Sequence, residues 1–211
     1  MNIGILVAMD GEYDLLLNAL EGRPDGHIGP HEVHLRRSGM GKVNAAVAAT
    51  NLIRDVRPDC LLSTGVAGAL DASLKGLDAV VSREIVYHDA WYGEGNAYGQ
   101  IQGFPARFQG FPALLAVAER LGARPGLFCS GDWFVDTAEV HDRICRDFPD
   151  ALAVDMESAA LAQTCHIYGI PFLSFRLISD TAEDHAGTWE SFWQQVGPTS
   201  FRLIRDFLQN L

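Results

Sequence analysis

Short apolar runs alternate with stretches of helical spacing along almost the whole chain. Asn2 to Met9 (NIGILVAM) is continuous enough for a buried strand, and Leu15, Leu16 and Leu20 then recur at helical spacing through Asp10–Leu20. His31–Gly39 alternates like a half-exposed strand, Gly41–Val56 reads as a helix, and Asp59–Leu70 as a buried strand running into a glycine turn. Leu77–His88 predicts a strand, Phe111–Gly122 a helix, Gly126–Gly131 a strand and Thr137–Phe148 a helix. Ala151–Met156 is a strand, Glu157–Gly169 a helix, Pro171–Asp180 a strand, and helix closes the chain from Trp189 to Leu211. This alternation predicts an α/β fold: one three-layer domain over residues 1–211, with a central mixed β-sheet flanked by helices. The longest irregular piece, Asp89–Gly110, is rich in glycine and aromatics, and loops of that length in a compact domain are often functional.

The formal charge of −11 argues against nucleic acid or an anionic membrane as partner, since both attract basic faces. No apolar run approaches the ~20 residues that span a bilayer. Cys60, Cys129, Cys145 and Cys165 form no CxxC pair, and with no signal peptide they read as reduced thiols of a cytoplasmic protein.

In open α/β sheets ligands bind beyond the carboxyl ends of the strands, so the residues delivered there are the candidates. They are Met9, Asp10 and Glu12; Val66, Ala67 and Gly68; Asp132, Trp133, Phe134 and Val135; Asp155, Met156 and Glu157; and Arg176, Ser179 and Asp180. Several carboxylates, one arginine and a set of apolar and aromatic groups suit a small, partly aromatic molecule. Arg176 is informative because an unpaired cation inside an apolar strand is costly. Taken singly, Glu12, Glu157 and Asp180 also fit helix or turn caps, and Asp155 reads as a cap or an ion-pair partner. SGMGKVN (residues 38–44) suggests an anion cradle before a helix, without the full dinucleotide or Walker pattern. HEVH at His31–His34 puts its histidines on opposite strand faces, which argues against a metal. In YHD (Tyr87–Asp89) a hydrogen-bonded structural histidine is the expectation.

IGILVAMDGE, SGMGKVNAA, STGVAGAL, YHDA…YGQ, CSGDWFV, AVDMESAALAQTC and RLISDTAED, in this order, resemble the bacterial 5′-methylthioadenosine/S-adenosylhomocysteine nucleosidases of the nucleoside phosphorylase superfamily. The resemblance implies a nucleoside phosphorylase-like fold and hydrolysis of the bond between adenine and a 5′-thio-substituted ribose, an acid–base task for two carboxylates. Carried over residue by residue, it implies Glu12 as the base that activates water and Asp180 as the acid at adenine N7. Glu157 would bond the ribose hydroxyls, Met156 pack under the ribose, Phe134 stack on the purine and the Val135 backbone read its edge. Ser179 would bind on the adenine side and orient Asp180. Met9, Arg176, Ala67 and Gly68 would order the water and the site, with no cofactor and no metal. It also implies a homodimer.

Two departures stand out. Val66 occupies a position where many members carry serine, and the aromatic loop reads AWYGEGNAYGQ, with Trp91, Tyr92 and Tyr98 as candidates for the contact that family members make with the neighbouring subunit's 5′ pocket. Three other readings stay open: an aminodeoxyfutalosine hydrolase, a purine nucleoside phosphorylase, and a nucleoside-binding protein without turnover.

Overall fold

The computed structural model describes residues 1–180 and 202–210. In strand β1 (Asn2–Val7), Ile3, Ile5 and Val7 join one hydrophobic cluster and Leu6 another, as a strand covered on both faces requires. The other strands among the described residues are β2 (Asp25–Ile28), β3 (His31–Arg37), β4 (Cys60–Ala69), β5 (Ala79–Tyr87), β6 (Phe108–Gln109), β7 (Arg124–Ser130), β8 (Ala151–Asp155) and β9 (Phe172–Asp180). The helices are α1 (Asp10–Ala19), α2 (Lys42–Val56), α3 (Pro112–Arg120), α4 (Ala138–Asp147), α5 (Ser158–Tyr168) and α6 (Arg202–Gln209).

The strands form one mixed sheet, with β2, β3, β1 and β4 side by side at one end. From β4 the pairing closes on itself. β4 runs parallel to β9, β9 antiparallel to β5, β5 parallel to β7 and β7 parallel to β8. β8 then returns antiparallel to Gly68 and Ala69 at the end of β4. With β9 along one edge of β4, the opposite edge is shared: β1 takes Cys60–Ser63 and β8 takes only Gly68 and Ala69. Among the described residues, Thr64 to Ala67 are therefore left without a strand partner on that edge, and the site develops over this gap.

Helices α2 and α5 cover one face. Ala45, Ala49 and Leu52 pack in the same cluster as Ala159, Leu161 and Cys165, and the small residues let the helices lie close to the sheet. At Gly4 a Cβ would meet Leu52 Cδ2 at 2.9 Å, so glycine is what allows α2 to approach β1. The other face is covered by α1, α3 and α6 through Leu16, Leu114 and Phe207, the last stacked on Phe175 with ring centroids 5.1 Å apart. Helix α4 packs Val140 and Ile144 on a smaller cluster with Leu127 and Cys129.

The expected α/β architecture is the observed one, with two short strands added. β2 has one buried residue in four, and β6 is two residues long inside the segment expected to be irregular, so neither carries a readable period. β1 ends at Val7, before Met9, because the Ala8 and Met9 amides leave the sheet to bind a side chain of α1. The closing helix is described from Arg202; Trp189–Phe201 and Leu211 of that expectation, and Thr181–Asp184 at the end of the last motif, lie outside the described residues. All four cysteines are free. Among the described residues no helix is long and apolar enough to cross a membrane.

Candidate active site

A cavity of about 680 Å³, counting its open mouth, lies over the gap beside β4. Its walls come from the β1–α1 turn (Ala8, Met9), Glu12 in the first turn of α1, Met40 ahead of α2, Val66–Gly68 of β4, and Trp133–Val135 between β7 and α4. The β8–α5 turn adds Val154–Glu157, and the end of β9 adds Ser179 and Asp180.

Glu12 is 2% exposed, and its position follows from the gap. Val66 N–H, free of any strand on that edge, donates to Glu12 Oε1 at 3.1 Å, while Ala8 and Met9 N–H donate to Oε2 at 2.9 and 3.0 Å. The carboxylate sits directly against Gly65 (φ +143°), whose missing Cβ leaves the room for it. Burial holds the Glu12 carboxyl above the usual carboxylate range, while the Arg176 charge and the three amides pull the other way.

Arg176 does not line the cavity; it lies beneath it, 2% exposed. Its Nε donates to Asp155 Oδ2 at 3.2 Å, and its Nη2 lies 3.1 Å from the same oxygen and 2.9 Å from Ser63 Oγ. Nη1 is buried with no hydrogen-bond partner among the described residues. Asp155 holds both roles expected of it. Oδ1 accepts Ser158 N–H at 3.1 Å in the first turn of α5, and Oδ2 pairs with the guanidinium. The Ser158 hydroxyl also donates to Asp155, and it lies 2.7 Å from Ser174 Oγ. A buried ion pair needs its remaining lone pairs and protons satisfied, and Ser63, Ser158 and Ser174 supply this for Nη2 and for Asp155, with Nη1 left uncommitted among the described residues.

Glu157 is 7% exposed, and its Oε1 accepts Gly41 N–H at 2.9 Å. Burial, reinforced by the negative charge of Asp155, pushes its carboxyl up to about 7, against the pull of Arg176 and the Gly41 amide. Ser179 Oγ donates to Asp180 Oδ1 at 2.5 Å and lies 3.3 Å from Ala67 O. Gly68 lets Asp180 approach β4: a Cβ there would stand 3.1 Å from Asp180 Oδ2. Phe134 and Trp133 are half-exposed at the mouth, 59% and 52%.

Most of the residues expected at the site thus line one cavity. Arg176 lies below its floor, and Asp10 and Asp132 do not line it: Asp10 pairs with Arg37, and Asp132 is turned to the start of α2. Ala8, Met40 and Val154 were not foreseen; Met40 was readable only as the residue between two glycines. Two expectations change. SGMGKVN does form an anion cradle, but carboxylates of this chain occupy it: Gly41 N–H serves Glu157, and Lys42 N–H donates to Asp132 Oδ1 at 2.7 Å. His88 is buried at 1% exposure, but neither ring nitrogen meets a hydrogen-bond partner among the described residues, so it is not the hydrogen-bonded histidine expected. Of the loop aromatics, Tyr98 is engaged by its own chain: its hydroxyl donates to His88 O at 3.1 Å and its ring lies 5.7 Å from that of Phe148. Trp91 and Tyr92 are exposed.

A sequence model of the phosphorylase superfamily matches residues 2–209. A 5′-methylthioadenosine/S-adenosylhomocysteine nucleosidase of Staphylococcus aureus is 36% identical over 227 aligned positions, covering 99% of this chain and all of the relative. The crystal structure of an S-adenosylhomocysteine nucleosidase from Streptococcus pyogenes, in complex with 5-methylthiotubericidin, superposes with a TM-score of 0.92 at 34% identity, over 100% of this chain and 97% of that one. A futalosine hydrolase of Helicobacter pylori superposes with a TM-score of 0.90 at 27% identity, over 100% of this chain and 98% of that one.

Proposed function

The chain belongs to the phosphorylase superfamily, and we propose that it is an N-glycosyl hydrolase that splits 5′-methylthioadenosine and S-adenosylhomocysteine into adenine and the thioribose. The observation that carries water rather than phosphate as the nucleophile is the occupied cradle at the start of α2. Its amides hold Glu157 and Asp132, and the Lys42 ammonium is paired with Asp89 at 2.8 Å. The groups best suited to bind a phosphate dianion are already neutralised by carboxylates.

The geometry supports a division of labour. Glu12 stands against Gly65 and Asp180 against Gly68, three residues apart along β4, and both line the same cavity. Two carboxyl groups at one cavity, one to activate water and one to protonate the leaving base, are what inversion requires. Glu12 takes the proton of the attacking water, and the Nη1 of Arg176 is the uncommitted donor that orients this water from below. Asp180, aimed by Ser179, gives its proton to adenine N7 as the glycosidic bond breaks. Glu157 accepts the ribose hydroxyls over Met156, and its charge stabilises the cationic sugar. Phe134 stacks on the purine and the Val135 backbone reads its edge, while Met9, Ala67 and Gly68 close the walls. No step in this scheme calls for a metal or a cofactor.

A second copy of this chain is the partner we infer. Met40, Val43, Val47, Trp91, Tyr92 and Trp133 are large, apolar and exposed around the mouth and along the first turns of α2, and such a set suits a subunit interface. Trp91, whose ring lies 6.3 Å from that of Tyr98, and Tyr92 are the more exposed loop aromatics and the candidates to reach a neighbouring 5′ pocket. The four free thiols fit a reducing, cytoplasmic setting.

The test is adenine release from methylthioadenosine with and without phosphate, following the sugar product. Free methylthioribose at the same rate in both sets supports the reading. Methylthioribose 1-phosphate formed only with phosphate replaces it with a phosphorylase, and turnover confined to aminodeoxyfutalosine moves the 5′ specificity to that substrate.

A further inference from the structure

We propose that Asp89 is a positioning residue for this reaction: it fixes the adenine-side loop against the ribose-side turn without touching the substrate. The inference rests on the nucleosidase reading above.

Asp89 follows β5 and does not line the cavity. Its Oδ2 accepts two donors, Lys42 Nζ at 2.8 Å and Asp132 N–H at 2.9 Å. Asp132 returns the connection, its Oδ1 accepting Lys42 N–H at 2.7 Å. Three segments far apart in sequence thus close one polar triangle. Each of the other two corners adjoins a part of the site. Asp132 is followed by Trp133, Phe134 and Val135, the purine side of the cavity. Lys42 is preceded by Gly41, whose N–H holds Glu157 Oε1 at 2.9 Å.

Packing leaves the triangle little play. A Cβ on Gly41 would stand 2.9 Å from Asp132 Oδ1, and one on Gly131 would stand 2.7 Å from Asp89 Cγ. Lys42 Nζ lies 5.5 Å from the centre of the Tyr87 ring, so its stem is guided as well as its charge. The side chains of Asp89 and Lys42 are only 21% and 29% exposed, which lessens solvent screening of their pair. Losing the Asp89 carboxylate releases the Asp132 amide and leaves the Lys42 ammonium only its longer approach to Asp132 Oδ2 at 3.9 Å. The purine loop and the Glu157 turn are then joined by the single Lys42 N–H bond to Asp132, which holds them less firmly, and a nucleoside that must satisfy both binds less well.

The experiment compares Asp89→Ala, Asp89→Asn and Lys42→Met with the wild-type enzyme. Each is assayed for thermal midpoint, for KM and kcat with methylthioadenosine, and for adenine affinity by calorimetry. For Asp89→Ala we expect a KM rise of about tenfold, within the ~100-fold that a 1 Å misplacement can cost, with the affinity for adenine alone changed by less than threefold. Asp89→Asn keeps one acceptor oxygen and recovers part of the loss. Lys42→Met repeats it, and Asp89→Ala combined with Lys42→Met loses no more than the worse single variant, because one connection is broken once. A merely structural Asp89 would lower the thermal midpoint and leave KM of the folded enzyme unchanged, and that result overturns the proposal. If Asp89→Ala does not fold, Lys42→Met carries the same comparison. A wild-type enzyme that releases no adenine from any nucleoside overturns the nucleosidase reading instead, and the two failures are distinct.

Discussion

Replacing Gly65 by alanine places one methyl group against the Glu12 carboxylate, so it tests that residue without altering it. The added Cβ would stand 2.6 Å from Glu12 Cδ, whereas ordinary contact begins at 3.4 Å. The carboxylate must therefore retreat by at least 0.8 Å, out of reach of one or more of the Ala8, Met9 and Val66 amides. A shift of about 1 Å in a reacting group costs ~100-fold in rate, or ~2.7 kcal/mol of barrier. The backbone adds its own penalty: φ is +143° at Gly65, and a side chain there costs about 1–3 kcal/mol of stability. The expected outcome is a folded protein with a lowered thermal midpoint, a kcat for methylthioadenosine reduced about 100-fold, and a KM little changed. Gly76→Ala is the control, since nothing lies within 4 Å of a Cβ at that position. The combination Gly65→Ala with Glu12→Ala should be no slower than Glu12→Ala alone, because both act through one carboxylate. A folded Gly65→Ala enzyme with kcat within threefold of wild type would refute the argument that Glu12, as positioned here, is the base.

Other outcomes follow from the same geometry. Glu12→Gln keeps the shape of the side chain and removes the base, so the fold should survive while kcat falls at least ~100-fold; near-normal turnover would sink the role. With the Glu157 carboxyl at about 7, its ionised, ribose-binding form is lost as pH falls below that value. kcat/KM should therefore rise about tenfold per unit up to about pH 7 and then level off, and a profile flat from pH 5.5 to 8 would contradict it. Burial lowers the His88 pKa, so the folded state binds fewer protons here than the unfolded chain, whose histidine titrates near 6.5. His88 should therefore cost stability as pH falls below 6.5. Comparing thermal midpoints at pH 7.5 and 5.5 should show a smaller drop in His88→Gln than in wild type, and equal drops would contradict the assignment.

Much of this fold is legible because burial imposes a period. The strand from Ala151 and the helix from Glu157 differ in their apolar spacing, and both were placed within a residue or two. β2 and β6 escaped because one buried residue in four, or two residues in all, make no pattern. The cavity was legible for a topological reason, since polar residues at strand ends have few places to go but the crevice beyond them. The contacts that join segments were not. Asp89, Lys42 and Asp132 lie 43 to 90 residues apart, and although each falls in a motif noted in the sequence, nothing in their spacing shows that the three meet. Gly65 looked like a strand glycine, because the carboxylate that needs its missing side chain lies more than fifty residues away.

The interval on β4 where neither β1 nor β8 pairs has a consequence for how occupancy reads out. A ligand seated there spans two ladders that otherwise meet only through β4 and acts as a removable rung between them. Filling it should slow amide hydrogen exchange at Val66 and on both sides of the break, at Met9 and Val154 alike. Adenine alone, lacking the sugar that crosses from Glu12 to Glu157, should quiet only the Val154 side. Exchange protection would thus separate a bound base from a bound nucleoside before any bond is cut.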